Sequence, residues 1–150
     1  MLLRDVYSSD AEELAQLITE FTHLSTTPAQ IRQRLARSQG IEHPVVAELD
    51  GRVVAFASLR LLNYLGEDAP YAEISELFVS ARYRRRGIAR ALMIELEAWA
   101  RAAGASSVTV LTAADNDSAL ALYRAMGYQE FSIGLQKWLT EDRPYRVSAE

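Results

Sequence analysis

The spacing of apolar residues changes its period along the chain, and each change marks a new element. Residues 2–7 form a short strand candidate. From Leu14 to Phe21 the apolar positions follow helical spacing, after a Ser9-Asp10-Ala11-Glu12 segment that has the form of a capping box. Thr27-Pro28-Ala29-Gln30 predicts the start of a second helix, with threonine as N-cap and proline in the first turn. That helix is expected to end near Gly40.

Strand-type patterns follow the two helices. Residues 45–49 and 53–59 are rich in β-branched and aromatic residues, and they flank Asp50-Gly51. This dipeptide favours a type I′ turn, so the segment is predicted to be a β-hairpin. Residues 63–70 are expected to form a loop, and residues 71–79 the next strand.

The second half of the chain alternates between the two periods. A helix is predicted from about Gly87 to Ala103, a strand over 107–112, and a helix over 118–126. Residues 130–139 are expected to form one or two final strands. The predicted order is therefore β-α-α-β-β-β-α-β-α-β, an α/β (mixed α+β) fold with helices on both faces of a central sheet.

The predicted strand, helix and strand across 71–112 should form a right-handed crossover with two parallel strands. A chain of 150 residues fits one domain, so a single domain over 1–150 is expected.

Composition narrows the function classes. The chain has no cysteine, which excludes disulfides, thiolate metal sites and a cysteine nucleophile. Its two histidines stand apart without carboxylates at ligand spacing, so no metal site is predicted. No apolar run has the length of a membrane span and no signal peptide is visible, so a cytoplasmic protein without membrane contact is expected. The net charge of −4 argues against nucleic-acid binding.

Against this acidic background, one segment between a strand and a helix is basic. Its arginines are Arg82, Arg84, Arg85, Arg86 and Arg90. Unpaired N–H groups and the helix dipole favour an anion at a helix N-terminus, and Gly87 would let the backbone approach one closely. Clustered positive charge there is unfavourable unless an anion is near. The residues alone leave two interpretations open, an anion site and a solvated charged surface.

The hexapeptide Arg84-Arg85-Arg86-Gly87-Ile88-Ala89 resembles the Arg/Gln-x-x-Gly-x-Gly/Ala signature of the GNAT superfamily of acetyl-CoA-dependent N-acetyltransferases. The preceding Glu76-Leu77-Phe78-Val79 is similar to the central strand of that family. The downstream pattern Asn116-x-x-Ala119-x-x-x-Tyr123-x-x-x-Gly127-Tyr128 is similar to its fourth helix. The resemblance spans about residues 44–138 and implies a mixed, mostly antiparallel sheet.

The resemblance also implies a set of donor-binding residues. The CoA pyrophosphate would lie on the signature loop that begins at Arg84, against the backbone amides of Arg85, Arg86, Gly87, Ile88, Ala89 and Arg90. The pantetheine arm would pair with Leu77, Phe78 and Val79, where this strand and the next separate, a form of β-strand addition. Asn116 and Tyr123 match positions that contact the CoA arm.

Catalytic roles follow from the same resemblance. Tyr123 would protonate the departing CoA thiolate, although its place on an apolar helix stripe also fits a core tyrosine. The N–H of Leu77 would stabilise the oxyanion. Glu73 and Glu76 are alternative general bases, and water alone is a third possibility. In a regular strand the two glutamates point to opposite faces because their spacing is odd, but a bulge would alter this.

The acceptor is less defined. Carboxylates occur in the regions that shape the acceptor site in the family, namely Glu12, Glu13, Glu20, Glu67, Asp68, Glu73 and Glu76. They favour a small cationic amine, with a peptide or protein amine as the alternative. Two alternative functions involve no catalysis, namely a non-catalytic acyl-CoA-binding module and a nucleic-acid binder. The family resemblance also makes a homodimer possible.

Overall fold

The computed structural model describes residues 1–140, which divide into two compact units. The first unit, Met1–Val110, contains all five strands and three α-helices. Its elements are β1 (Leu2–Asp5), α1 (Ala11–Thr22), α2 (Pro28–Ser38), β2 (Glu42–Leu49), β3 (Arg52–Leu62), β4 (Tyr71–Val79), α3 (Ile88–Ala102) and β5 (Val108–Val110). The second unit begins at Leu111 and contains α4 (Asp117–Ala125).

Local sequence signals set several boundaries as predicted. Asp50 and Gly51 both have positive φ, 52° and 75°, which confirms the type I′ hairpin between β2 and β3. At the start of α2 the Thr27 hydroxyl accepts the Gln30 N–H at 3.3 Å, while the Gln30 side chain accepts the Thr27 N–H at 2.8 Å. The predicted capping box is therefore confirmed there.

The capping box predicted at Ser9-Asp10-Ala11-Glu12 is wrong. Asp10 accepts the Tyr7 N–H at 2.8 Å and both terminal nitrogens of Arg4, at 2.8 and 3.0 Å. Burial alone would raise the pKa of Asp10, but the hydrogen bonds from Arg4 and Tyr7 outweigh it and lower that pKa. Asp10 is the N-cap residue of α1, but its side chain makes no capping hydrogen bond to that helix and instead closes the preceding 3₁₀ turn, Ser8–Asp10.

The sheet has the order β1-β2-β3-β4-β5, antiparallel from β1 to β4, with β5 parallel to β4. This confirms the mixed, mostly antiparallel sheet and the parallel pair on either side of α3. Helices α1 and α2 cover one face over a buried cluster that includes Val46, Phe56 and Phe78. Helix α3 packs on β2, β3 and β4, and its buried residues lie outside that cluster. It therefore covers the opposite face, as predicted.

The second unit differs from the prediction at its end. No strand forms over 130–139, so the one or two strands predicted there are wrong. Phe131, Ile133 and Leu135 alternate as in a strand, yet they are 77%, 88% and 94% exposed. An alternating pattern forms a strand only where one face is buried and a neighbour takes the backbone hydrogen bonds. Neither condition is met in this segment.

Among residues 1–140, no helix combines the length and the apolar character needed to cross a bilayer.

Candidate acyl-transfer site

A cradle of backbone amides lies where the basic segment meets α3. The helix begins at Ile88, and its N-cap is Gly87, which has φ 77° and no side chain to cap the first turn. Arg85 also has a positive φ, 63°. Within the described chain, no hydrogen bond involves the N–H groups of residues 85–90. Adjacent amides without partners at a helix N-terminus form a site for a phosphate group.

Gly87 keeps the mouth of this cradle open. A Cβ built on it meets no atom within 4 Å. The space beside it is therefore available for a ligand, and the positive φ is a conformation that other residues adopt only with strain. The cradle residues predicted from the sequence, 84–90, thus form one continuous segment, made of the loop before α3 and its first turn.

The arginines of the loop have different surroundings. Arg84 donates its Nε–H to the Val79 carbonyl at 3.0 Å, and its guanidinium lies 5.6 Å from the centre of the Phe78 ring. It therefore fastens the loop to the end of β4. Arg85, Arg86 and Arg90 are exposed, with Arg86 over the ring of Tyr83. Their side chains can reach an anion in the cradle.

Within residues 1–140, the edge of β4 next to the cradle lacks a partner strand over its second half. Pairing with β5 ends at Ile74, whereas β4 continues to Val79. The Ser80 N–H donates to Val54 of β3 at 3.0 Å. Because backbone groups alternate sides along an antiparallel strand, Leu77 and Val79 direct their N–H groups to the opposite, open edge. Phe78, also predicted to bind the donor, turns its backbone to β3 and its side chain into the core.

A β-bulge at Ser75 overturns the expectation that Glu73 and Glu76 point to opposite faces. Ser58 pairs with Glu76 and Leu59 pairs with Ile74, which leaves Ser75 as the extra residue. Glu73 lies opposite Arg60, so the partners of the two glutamates are two positions apart on β3 and share a face. Both glutamates therefore lie on the α1–α2 side of the sheet.

Backbone hydrogen bonds confirm the bulge independently. The Ala72 N–H donates to Ser107 on the β5 side of β4, at 2.8 Å, while the Ser80 N–H donates to β3. These residues are separated by an even number of positions, so in a regular strand both N–H groups would point to one side. The extra residue between them reverses the alternation.

An open cleft of about 410 Å³ lies on the α1–α2 side of the sheet, and we call it the acceptor cleft. Its lining is Val6, Leu14, Ile18, Thr22, Ile31, Arg34, Leu35, Arg37, Ser38, Ile41, Glu42, Pro44, Phe56, Ser58 and Glu76. The walls are mostly apolar, and among the residues that the structure describes only Glu42 and Glu76 bring carboxylates to the lining. Solvent reaches Glu76 through the cleft. The surrounding protein raises the pKa of Glu76 by desolvation, helped by nearby Glu42 and opposed by Arg34.

Glu73 has a different environment although it shares this face. Its Oε1 lies 2.5 Å from the Nη2 of Arg60, and its side chain is 16% exposed. It does not line the acceptor cleft. Its carboxylate is therefore engaged with the Arg60 guanidinium and not with the cleft. The two alternative bases are therefore distinguished by their contacts.

The acidic residues expected near the acceptor do not form one group. Glu13 accepts the Val53 N–H at 3.2 Å and Glu20 accepts the Ala81 N–H at 2.7 Å. Both line a separate pocket of about 210 Å³. Glu42, which the sequence analysis did not single out, does line the acceptor cleft. Its position depends on pairing between distant strands, and no local pattern signals it.

In the second unit, Asn116 caps α4, since its Oδ1 accepts the Ala119 N–H at 3.2 Å. Its side-chain amide group is left for another contact. Tyr123 is 9% exposed, its ring centre lies 6.0 Å from that of Tyr128, and burial raises the pKa of its phenol. The phenol is therefore protonated throughout the neutral range.

Within residues 1–140, no three His, Asp or Glu side chains are grouped so that they could hold a metal ion. His43 instead stacks on Trp99, with ring centres 4.3 Å apart.

Comparison with known proteins identifies the family. The sequence model of the Acetyltransferase (GNAT) family matches residues 8–128. The N-alpha-acetyltransferase RimI of Mycobacterium tuberculosis is 38% identical, over 81% of this chain and 68% of that protein. An aminoglycoside N(6′)-acetyltransferase of Stenotrophomonas maltophilia is 29% identical, over 85% of this chain and 86% of that protein.

A crystal structure of a Trypanosoma brucei acetyltransferase shares the fold, with a TM-score of 0.80 and 20% identity, over 92% of this chain and 99% of that one. The sequence comparisons thus indicate an acetyltransferase, and the fold comparison agrees with them, for the chain that carries the amide cradle and the open edge of β4. The protein is an acyltransferase and belongs to the GNAT acetyltransferase family.

Proposed function

We propose that the protein transfers an acetyl group from acetyl-CoA to a primary amine. The observation that carries this proposal is the row of partnerless amides at residues 85–90, at the N-terminus of α3. The family to which the chain belongs generally uses acetyl-CoA, and the cradle suits a pyrophosphate.

The donor would extend from the cradle along the open edge of β4. The N–H groups of Leu77 and Val79 on this edge can pair with amide groups of a pantetheine arm, as in strand addition. The Leu77 N–H would then donate to the thioester carbonyl oxygen as negative charge develops on it. Asn116 would contact the same arm.

The acceptor amine would enter the acceptor cleft. Glu76 lies in that cleft, and we assign it the role of general base, while Glu73 serves as the ion-pair partner of Arg60. An amine is mostly protonated near neutral pH, so it must lose a proton before its lone pair attacks the thioester. Attack is direct, because the chain has no cysteine to carry the acetyl group. The Tyr123 phenol would protonate the departing thiolate.

The acceptor class that we favour is a small cationic amine. The cleft volume of about 410 Å³ lies in the range of small-ligand sites, and Glu42 and Glu76 supply negative charge. Arg34 and Arg37 on α2 also line the cleft and would repel a second ammonium group, which favours an acceptor with one ammonium group over a polycation. A peptide amine is the second candidate, because a 38% identical relative is named an N-alpha-acetyltransferase.

The acceptor class can be tested by mass spectrometry with saturating acetyl-CoA. One set of reactions contains small mono- and polyamines, and the other contains peptides with free N-termini or lysines. We expect acetylated products from small monoamines. Products from peptides alone would favour the second candidate. Tight CoA binding without any product would leave only an acyl-CoA-binding module, and salt-sensitive RNA affinity that CoA does not displace would favour a nucleic-acid binder.

Gly87→Ala tests the cradle, because it places a methyl group in the space reserved for the donor. We expect acetyl-CoA affinity to fall by about tenfold or more, measured by calorimetry. Gly104→Ala is the matched control, since Gly104 has a similar φ of 84°, the same open surroundings and a position just beyond the opposite end of α3. Both variants should lose roughly 1–2 kcal/mol of stability from backbone strain. Equal acetyl-CoA affinity in the two variants would remove the cradle assignment.

Glu76→Gln tests the general base. We expect kcat/KM to fall by about 10²–10³ at neutral pH. In the unsubstituted enzyme, activity should rise as pH rises through the pKa of Glu76, which desolvation by the surrounding protein raises from its ordinary value. That acid limb should vanish in Glu76→Gln and persist in Glu73→Gln. Loss of the limb only in Glu73→Gln would assign the base to Glu73.

Tyr123→Phe tests the general acid. Because the substitution removes only the hydroxyl, we expect kcat to fall by about 10- to 100-fold, with little change in acetyl-CoA affinity. Tyr7→Phe, at a tyrosine 58% exposed, controls for loss of a phenol elsewhere. Steady-state kinetics and calorimetry measure the two quantities. Full activity of Tyr123→Phe would make Tyr123 a core residue only.

A further inference from the structure

We propose that Glu42 on β2 is a positioning residue that holds the β4 bulge in place and thereby directs Glu76 into the acceptor cleft. This inference rests on the proposed function, in which Glu76 is the general base. It assigns a role to a residue of the first unit that contacts neither the cradle nor the open edge of β4.

One carboxylate oxygen of Glu42 connects three strands. Its Oε2 accepts a hydrogen bond from the Ser58 hydroxyl at 2.7 Å and another from the Ser75 hydroxyl at 2.7 Å. Ser58 on β3 is the cross-strand partner of Glu76, and Ser75 is the extra residue of the bulge. The Ser75 hydroxyl also lies 3.3 Å from the Ser58 carbonyl oxygen. The side chain of the extra residue therefore contacts both β3, which is next to β4, and β2 beyond it.

The bulge decides which face of the sheet carries Glu76. Without the extra residue, the alternation of side chains along β4 would place Glu73 and Glu76 on opposite faces. An extra residue lacks regular ladder hydrogen bonds, so side-chain contacts such as these help to hold it in place. Hydrogen bonds to a carboxylate are stronger than those between neutral groups, and Glu42 supplies two of them. Its other oxygen, Oε1, lies 3.8 Å from Arg60 Nη1.

Glu42 also shapes the electrostatics around Glu76. The charged groups facing this part of the cleft are Glu42 from β2, Arg34 and Arg37 from α2, and Arg60 from β3, next to Glu42. Helix α1 contributes no charged residue to the lining. The negative charge of Glu42 raises the pKa of Glu76 beyond the effect of burial, while Arg34 lowers it. Removing that negative charge should lower the pKa of Glu76.

Two substitutions separate position from charge. Glu42→Gln keeps a side-chain oxygen for both serine hydroxyls but removes the charge, so we expect the acid limb of the kcat/KM profile to move to lower pH with kcat reduced by less than about threefold. Glu42→Ala removes both hydrogen bonds, and kcat should fall by about 10- to 100-fold because Glu76 loses its alignment. Acetyl-CoA affinity should be unchanged in both variants, which also shows that they are folded.

Glu48→Gln is the matched control, because Glu48 lies on the same strand outside the acceptor cleft and its loss changes the net charge equally. Its acid limb should coincide with that of the unsubstituted enzyme. An acid limb that stays in place in Glu42→Gln, or a kcat for Glu42→Ala equal to that of the control, would overturn the inference.

A titration that needs no enzymatic turnover can test this inference separately from the proposed function. The pKa of Glu76 can be read by carbon NMR of labelled glutamate carboxyls, with Glu76→Gln used to assign the signal. A lower pKa of Glu76 in Glu42→Gln supports the inference even if no amine is acetylated, and an unchanged pKa overturns it. Absence of any turnover in the unsubstituted enzyme would contradict the proposed function alone.

Discussion

The backbone N–H and C=O groups of strand β4 find different hydrogen-bond partners on its two edges, and the site depends on this difference. On one edge it pairs with β3 along its whole length, while on the other it pairs with β5 only as far as Ile74. The remaining N–H groups on that edge, those of Leu77 and Val79, need a partner that the sheet does not supply. A ligand with amide groups can supply one, and the cradle at the N-terminus of α3 follows the same strand directly.

The bulge in β4 also places the acceptor cleft next to this open edge. Leu77 directs its N–H in the plane of the sheet, whereas the neighbouring Glu76 projects its side chain out of that plane into the acceptor cleft. Two consecutive residues of one strand therefore face the open edge of β4 and the acceptor cleft. A group on strand backbone is held more precisely than one on a loop, and here the ladder with β3 fixes the position of both residues.

The sequence allowed prediction of features that depend on neighbouring residues. The capping box at Thr27, the type I′ turn at Asp50-Gly51 and the start of α3 near Gly87 each follow from a few neighbouring residues. The bulge at Ser75 and the contacts of Glu42 depend on which residues of distant strands meet, and no local pattern encodes that register. The prediction of a strand over 130–139 was wrong for a related reason. Alternating apolar and polar residues indicate that one face could be buried, but they do not supply a neighbouring strand to pair with.

The contrast between Glu73 and Glu76 shows why residue type and spacing leave a catalytic role open. Both are glutamates of one strand, and the bulge puts both on one face. Arg60 forms an ion pair with Glu73, while desolvation and nearby Glu42 raise the pKa of Glu76. A base must accept a proton from an amine and release it afterwards, so the residue with the raised pKa is the better suited. Burial and charge in the folded chain, rather than the glutamate itself, thus separate the structural carboxylate from the candidate base.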